Sequence, residues 1–323
     1  YQDMGLLHAF LLDGAGNARV VEPSEIEQAS KGDGVLWLHV DISTRAGQEW
    51  IQHHAGIDQT VAEALLEEEI RPRSMQYVDG LLAVMRGVNT NPHAQAEDMV
   101  SLRLWLEKKR IISARKRRLM SIQDIKQELE TGRGPVDSGA FLCELTDRLV
   151  DRIGEVVNDI EEELEETEAR IQDTVSNSLR GRFSDIRRRT ARIRRYLAPQ
   201  RVALDKLSRM QSDILSEKDC LALYEQTNMV THYVEDLDLA RERAMVAQEE
   251  ILNIIAQDQN AKIYLLSIVA AVFLPLSFLT GLMGMNVAGL PGTVDKASFD
   301  IIVGIMIGVA ALILGYLRYR KWL

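Results

Sequence analysis

Along the first third of the chain, short apolar runs alternate with turn-forming residues, the pattern of strands joined by tight turns. Leu6–Leu12 and Ala18–Glu22 flank Asp13-Gly14-Ala15-Gly16-Asn17, a hairpin-type signal, and Gly34–Ile42 (GVLWLHVDI) reads as a buried strand. Helices are expected over Ala46–His54 and Thr60–Glu69, the second broken by Arg71-Pro72-Arg73. Met75–Asn89 holds Asp79-Gly80, a tight turn between two strands. Val100–Leu106 and Arg110–Ala114 read as a further strand pair, followed by a helix from about Leu119 to Leu129. Residues 1–134 thus read as a cytoplasmic α/β domain, ended by a Gly132-Arg133-Gly134-Pro135 linker.

Beyond Pro135 the strand signals stop. Residues 138–175, 177–213 and 217–282 predict three long helices, making 135–262 a cytoplasmic long-helix stalk. The last helix would cover 66 positions, on the order of 100 Å at 1.5 Å per residue. Its C-terminal part changes character: from Ile263 to Val294, 32 consecutive residues carry no charge. Spans at about 263–282 and 299–317 are each long enough to cross a bilayer, so 263–323 reads as a transmembrane domain. Lys262 precedes the first span, and Arg318, Arg320 and Lys321 follow the second. The connecting segment offers only Lys296 against Asp295 and Asp300, so the excess of cations puts both termini in the cytoplasm.

Composition changes this picture in two places. A mean hydropathy of −0.11 averages a polar cytoplasmic part with two apolar spans. The formal net charge of −10, from 38 Lys and Arg against 48 Asp and Glu, argues against a nucleic-acid binder. An acid-rich run, Glu155 to Glu168, and an Arg-rich run, Arg180 to Arg201, suit facing helices of a hairpin. On the last long helix, positions 237, 240, 244, 247, 251 and 254 (Leu, Ala, Ala, Ala, Ile, Ile) form an apolar seam. Glu235, Asp238, Glu242, Met245 and Glu249 lie on roughly the opposite face. This reads either as an ordinary solvated face or, if copies of the helix surround an axis, as stacked anionic rings that concentrate cations. Gly304 and Gly308 in the second span would allow a close helix contact. The six histidines show no metal-binding spacing and read as surface or structural; Cys143 and Cys220 read as reduced, buried thiols. No phosphate-binding loop, dinucleotide fingerprint, nucleophile elbow or metalloprotease helix is present, so no enzyme is expected and no cofactor is implied.

The break after the first span carries a resemblance. Gly284-Met285-Asn286, following Phe273-Leu274-Pro275-Leu276-Ser277-Phe278-Leu279-Thr280-Gly281, resembles the signature of the CorA-type divalent-cation transporters. Within that family, Val287-Ala288-Gly289-Leu290-Pro291-Gly292 and the Lys321-Trp322-Leu323 ending are most similar to the zinc-transporting ZntB branch. The resemblance implies a funnel-shaped homopentamer in the bacterial inner membrane, the first span of each subunit lining the pore. It implies that Asn286 forms an outer ring, with Gly284 and Met285 shaping the loop that presents it. Ser277 and Leu274 would line the pore next, and Leu266 and Ile263 would make the inner hydrophobic constriction. An Asn carbonyl oxygen can hydrogen-bond the water shell of an ion without stripping it, which holds the ion weakly enough to let it leave.

Three functions follow: a Zn²⁺ transporter, a Mg²⁺, Co²⁺ or Ni²⁺ channel, and a non-conducting membrane-anchored sensor or scaffold. Oxygen-only pore chemistry suits hard Mg²⁺, so the zinc reading rests on the loop. Proton coupling is implied by the ZntB resemblance alone, because the spans hold no His, Asp or Glu apart from Asp300 at an outer edge.

Overall fold

The computed structural model describes residues 4–68, 71–171, 177–285 and 297–320. Packing divides the chain into two units, Tyr1–Gln248 and Glu249–Leu323.

The first unit is built on a sheet of seven strands: β1 Leu6–Leu12, β2 Ala18–Val20, β3 Val35–Asp41, β4 Arg73–Gln76, β5 Leu81–Gly87, β6 Val100–Leu106 and β7 Arg110–Arg115, in the order β2-β1-β3-β7-β6-β5-β4. Neighbours run antiparallel except β3 and β7, which pair in parallel with Trp37 opposite Ile111. β3 lies mid-sheet, and its unbroken apolar run is buried on both faces. Leu36, Leu38 and Val40 join a core with Trp50, Ile51, Val61 and Leu65. These come from α2 Arg45–His53 and α3 Gln59–Leu66, which follow the short α1 Ile26–Ala29. Thr44 and Asp58 cap α2 and α3, accepting from the N–H groups of Gly47 (3.1 Å) and Thr60 (2.8 Å). The alternate residue Trp37 faces the other way, its ring 4.9 Å from that of Phe141. Phe141 belongs to α5 Ser138–Ala169, which packs on β5 beside α4 Met120–Glu130; α6 Asn177–Ser208 packs on β4 and β5.

Most elements follow the sequence pattern, but α1 is not anticipated by it, α3 ends at Leu66 rather than Glu69, and α5 and α6 end at Ala169 and Ser208 rather than at 175 and 213. The glycine-rich segment expected to be a linker is docked: the Gly134 N–H donates to the Gly16 carbonyl at 2.9 Å. Gly16 (φ 95°) has no room for a side chain, because a Cβ there would crowd the Gly132 carbonyl. The first unit therefore holds the sheet and the long helices α5 and α6 together.

α7 Glu217–Met283 runs 67 residues and contributes to both units. Its seam residues Leu237, Ala240, Ala244 and Ala247 are buried, as the heptad spacing anticipates. In the second unit α7 carries an 18-residue apolar stretch, none of it buried, and is followed by α8 Ser298–Tyr319. Both helices are long and apolar enough to cross a membrane.

Candidate functional site

The residues expected to line a pore share one stripe of α7. Ile263, Leu266, Ala270, Leu274, Ser277 and Gly281 follow at steps of three and four, the spacing of a single helix face. Ile263 is 62% exposed, and Leu266 and Leu274 are each 68% exposed. So large an apolar surface needs a covering that this chain does not supply by itself. Ser277 is exposed on the same stripe, and its carbonyl accepts from Thr280 Oγ1 at 2.9 Å. The Gly284 N–H still bonds the Thr280 carbonyl at 2.9 Å, so the helical pattern persists to that glycine, and Met285 follows, 47% exposed. Asn286 lies outside the described residues, as do the remainder of the connecting segment to residue 296 and the Lys321-Trp322-Leu323 ending. On α8, Gly304 and Gly308 face open space, with nothing within 4 Å of where a Cβ would stand.

The acidic stripe is less uniform than its spacing suggested. Glu242 and Glu249 are exposed. Glu235 is exposed too and lies 3.7 Å from His232 Nδ1. Asp238 is engaged: its carboxylate takes Arg194 of α6 at 2.5 Å. The expectation that the acidic and basic runs simply face each other needs the same correction. Arg189 bridges α6 to Glu163 on α5, but Glu168 pairs with Arg243 of α7 at 2.5 Å and Arg192 lies 3.6 Å from Asp98. The runs are spent on several partners because α7 reaches both helices and the segment before β6 reaches α6.

Other expectations resolve at single residues. His39 is fully buried and His8 half-buried, the ring of one stacked on the other at 4.8 Å. Cys143 is a buried free thiol, its Sγ 3.6 Å from the Asp219 carbonyl, and burial beside Asp219 holds it protonated; Cys220 is only half-buried. Among the described residues no group of three or more His, Cys, Asp or Glu is placed to hold a metal ion.

An α/β unit followed by two bare apolar helices, each long enough to cross a membrane, is a layout suited to a membrane-attached protein. The sequence profile of the CorA-like Mg²⁺ transporter protein family matches residues 32–320, and the chain belongs to that family of divalent-cation transporters. It is 36% identical, over 99% of its length and 98% of the relative's, to the divalent cation transporter CmaX of Pseudomonas aeruginosa. It is 30% identical, over 98% of its length and 96% of the relative's, to the zinc transport protein ZntB of Yersinia enterocolitica. The structure of full-length CmaX superposes with a TM-score of 0.88 at 35% identity, covering 99% of both chains.

Proposed function

We propose that the chain carries Zn²⁺ across the bacterial cytoplasmic membrane as a homopentamer, with both termini in the cytoplasm. What supports this reading is the family match over residues 32–320 together with an apolar segment of α7 that is bare on every side, Leu265 and Phe278 as much as Leu266 and Leu274, and that runs on to Gly284-Met285. Five copies of its Ile263, Leu266, Leu274 and Ser277 face turned to a common axis cover one another and line a pore; lipid covers the remaining faces of α7 and α8. Asn286 rings the outer mouth and holds the hydrated ion through its water shell. Ser277 supplies a hydroxyl one level in, and Leu274, Leu266 and Ile263 close the path by dewetting. Glu242, Glu249 and Glu235 raise the cation concentration on the cytoplasmic side, whereas Asp238 is largely neutralised by Arg194.

Zinc rather than magnesium is favoured by the ZntB-like loop and by the ZntB relative at 30% identity. The second reading, a Mg²⁺, Co²⁺ or Ni²⁺ channel, is favoured by the pore stripe itself, which offers Ser277 oxygen and apolar groups but no sulfur or imidazole. Purified protein in liposomes loaded with zinc- or magnesium-sensitive dye separates the two. Zinc entry supports the proposal and magnesium entry alone supports the second reading. Absence of flux for every divalent ion leaves a membrane-anchored sensor or scaffold.

A further inference from the structure

A cleft of about 650 Å³ lies within the first unit, between the ends of β5 to β7 and α6. Its volume falls in the range of small-molecule sites. Arg86 of β5, Lys116 and Arg117 just after β7, and Arg192 and Arg195 of α6 all line it. Three carboxylates, Glu68, Glu97 and Asp98, line it too; Glu97 is engaged by Arg189 outside the cleft, whereas Asp98 neutralises the cleft's own Arg192. Glu97 lies 3.7 Å from Arg189, and Asp98 lies 3.6 Å from Arg192. Among the described residues Lys116, Arg117 and Arg195 make no ion pair.

Two of the cations, Arg86 and Arg195, are held in place before any ligand arrives. The Arg86 guanidinium lies over the Tyr196 ring, 4.3 Å from its centroid, and Arg195 lies 5.5 Å from the same ring. Arg86 Nη1 donates to the Met99 carbonyl at 2.9 Å, and its backbone N–H donates to Gln200 Oε1 at 2.7 Å. Gathering cations from three elements into one cleft costs electrostatic free energy. In a chain of net charge −10 it does not follow from composition. A bound polyanion offsets that cost.

We propose that this cleft binds a small anion bearing two or more phosphate groups, either free pyrophosphate or the phosphate chain of a nucleotide. Guanidinium forks match the paired oxygens of phosphate, and Lys116 adds a movable point charge. The Tyr196 ring is already taken by two guanidiniums, so the cleft offers no free aromatic face for a base. Recognition therefore rests on the phosphates, and pyrophosphate and a nucleoside triphosphate bind alike.

Isothermal titration of the full-length protein in detergent, without divalent cations, tests this independently of any transport. The probes are pyrophosphate, ATP, orthophosphate and citrate. Pyrophosphate and ATP are expected to bind within about threefold of each other and about tenfold or more tighter than orthophosphate, because more charge pairs form, and than citrate, whose carboxylates each offer two acceptor oxygens where a terminal phosphate offers three. Affinity falls as salt rises from about 0.05 to about 0.3 M. The double variant Lys116→Gln, Arg117→Gln removes two unpaired cations and weakens binding about tenfold or more with an unchanged melting temperature. No binding at millimolar pyrophosphate, citrate binding as tightly as pyrophosphate, ATP binding without pyrophosphate binding, or an unaffected double variant would each overturn the proposal.

Discussion

His8 and His39 stand opposite each other in the register of β1 and β3, and their rings stack on the face where Trp37 meets Phe141 of α5. His39 Nδ1 lies 2.7 Å from Ser113 Oγ, which also accepts from Trp37 Nε1 at 2.8 Å. Burial, with Lys126 and Arg115 nearby, pushes His8 from its ordinary 6.5 down to about 3; burial, His8 and Arg115 push His39 well below its ordinary value. Both rings are neutral in the folded protein, while in the unfolded chain both take a proton near pH 6.5. The unfolded state binds more protons below that pH, so stability is full above about pH 6.5 and falls as the pH drops toward 3. Melting followed by circular dichroism between about pH 7.5 and about pH 5 should show this acid loss, and a shallower one in His8→Phe, which cannot take the proton. Equal acid slopes in the two proteins would count against the assignment. This pair was not legible in the sequence: nothing local distinguishes His8 from His53, and only the strand register brings it to His39.

At the scale of elements, the long helix α7 earns its place through close contact and charge together. Gly154 of α5 faces Tyr233 of α7 so tightly that any Cβ there would strike the Tyr233 hydroxyl end. Gly154→Val should therefore destabilise the first unit by about 1–3 kcal/mol, read as a lowered denaturant midpoint, because an overpacked helix contact forces one side chain off its rotamer. An unchanged midpoint would show that Tyr233 swings away freely. The acidic residues of α7 make a second prediction. Glu242→Gln combined with Glu249→Gln should lower cation flux about two- to threefold at low ionic strength, and the difference should shrink at high salt. Asp238→Asn should change flux less, since Arg194 already neutralises it. Equal effects from Asp238 and from the exposed pair would remove the distinction. Most elements could be read from the sequence, because hydrophobic period and turn residues act locally: Leu6–Leu12 and Val100–Leu106 fall where expected, and the long helices start where expected, although α5 and α6 stop six and five residues early. What could not be read was which helix each charge meets. Arg194, Arg192 and Glu168 sit in runs that suggested one hairpin, and their partners depend on α7 and on the segment at Asp98.

For the whole molecule, the bare apolar surface of α7 bears most on the organisation: Ile263, Leu266 and Leu274 are exposed, and so are Leu265 and Phe278. Apolar side chains spaced along one helix face in a membrane must meet lipid or another copy, and the pore reading requires the copy. Light scattering on detergent-purified protein should give a protein mass near five times 36.4 kDa. A stable monomer would remove both transport readings. The two apolar helices were legible from the uncharged stretch 263–294 and the separate apolar run at 299–317, since crossing a bilayer demands a length and a composition that no local turn can mimic. The pore face was legible only through the Gly284-Met285-Asn286 resemblance, because apolar residues on a spanning helix look the same whether they meet lipid or a neighbour. The central claim is that zinc passes a ring formed by Asn286, and its most direct test is zinc entry into dye-loaded proteoliposomes. The wild type should admit Zn²⁺, and Asn286→Ala, purified with the same oligomeric mass, should admit almost none. Zinc entry at the same rate in Asn286→Ala, or none in the wild type, would contradict it.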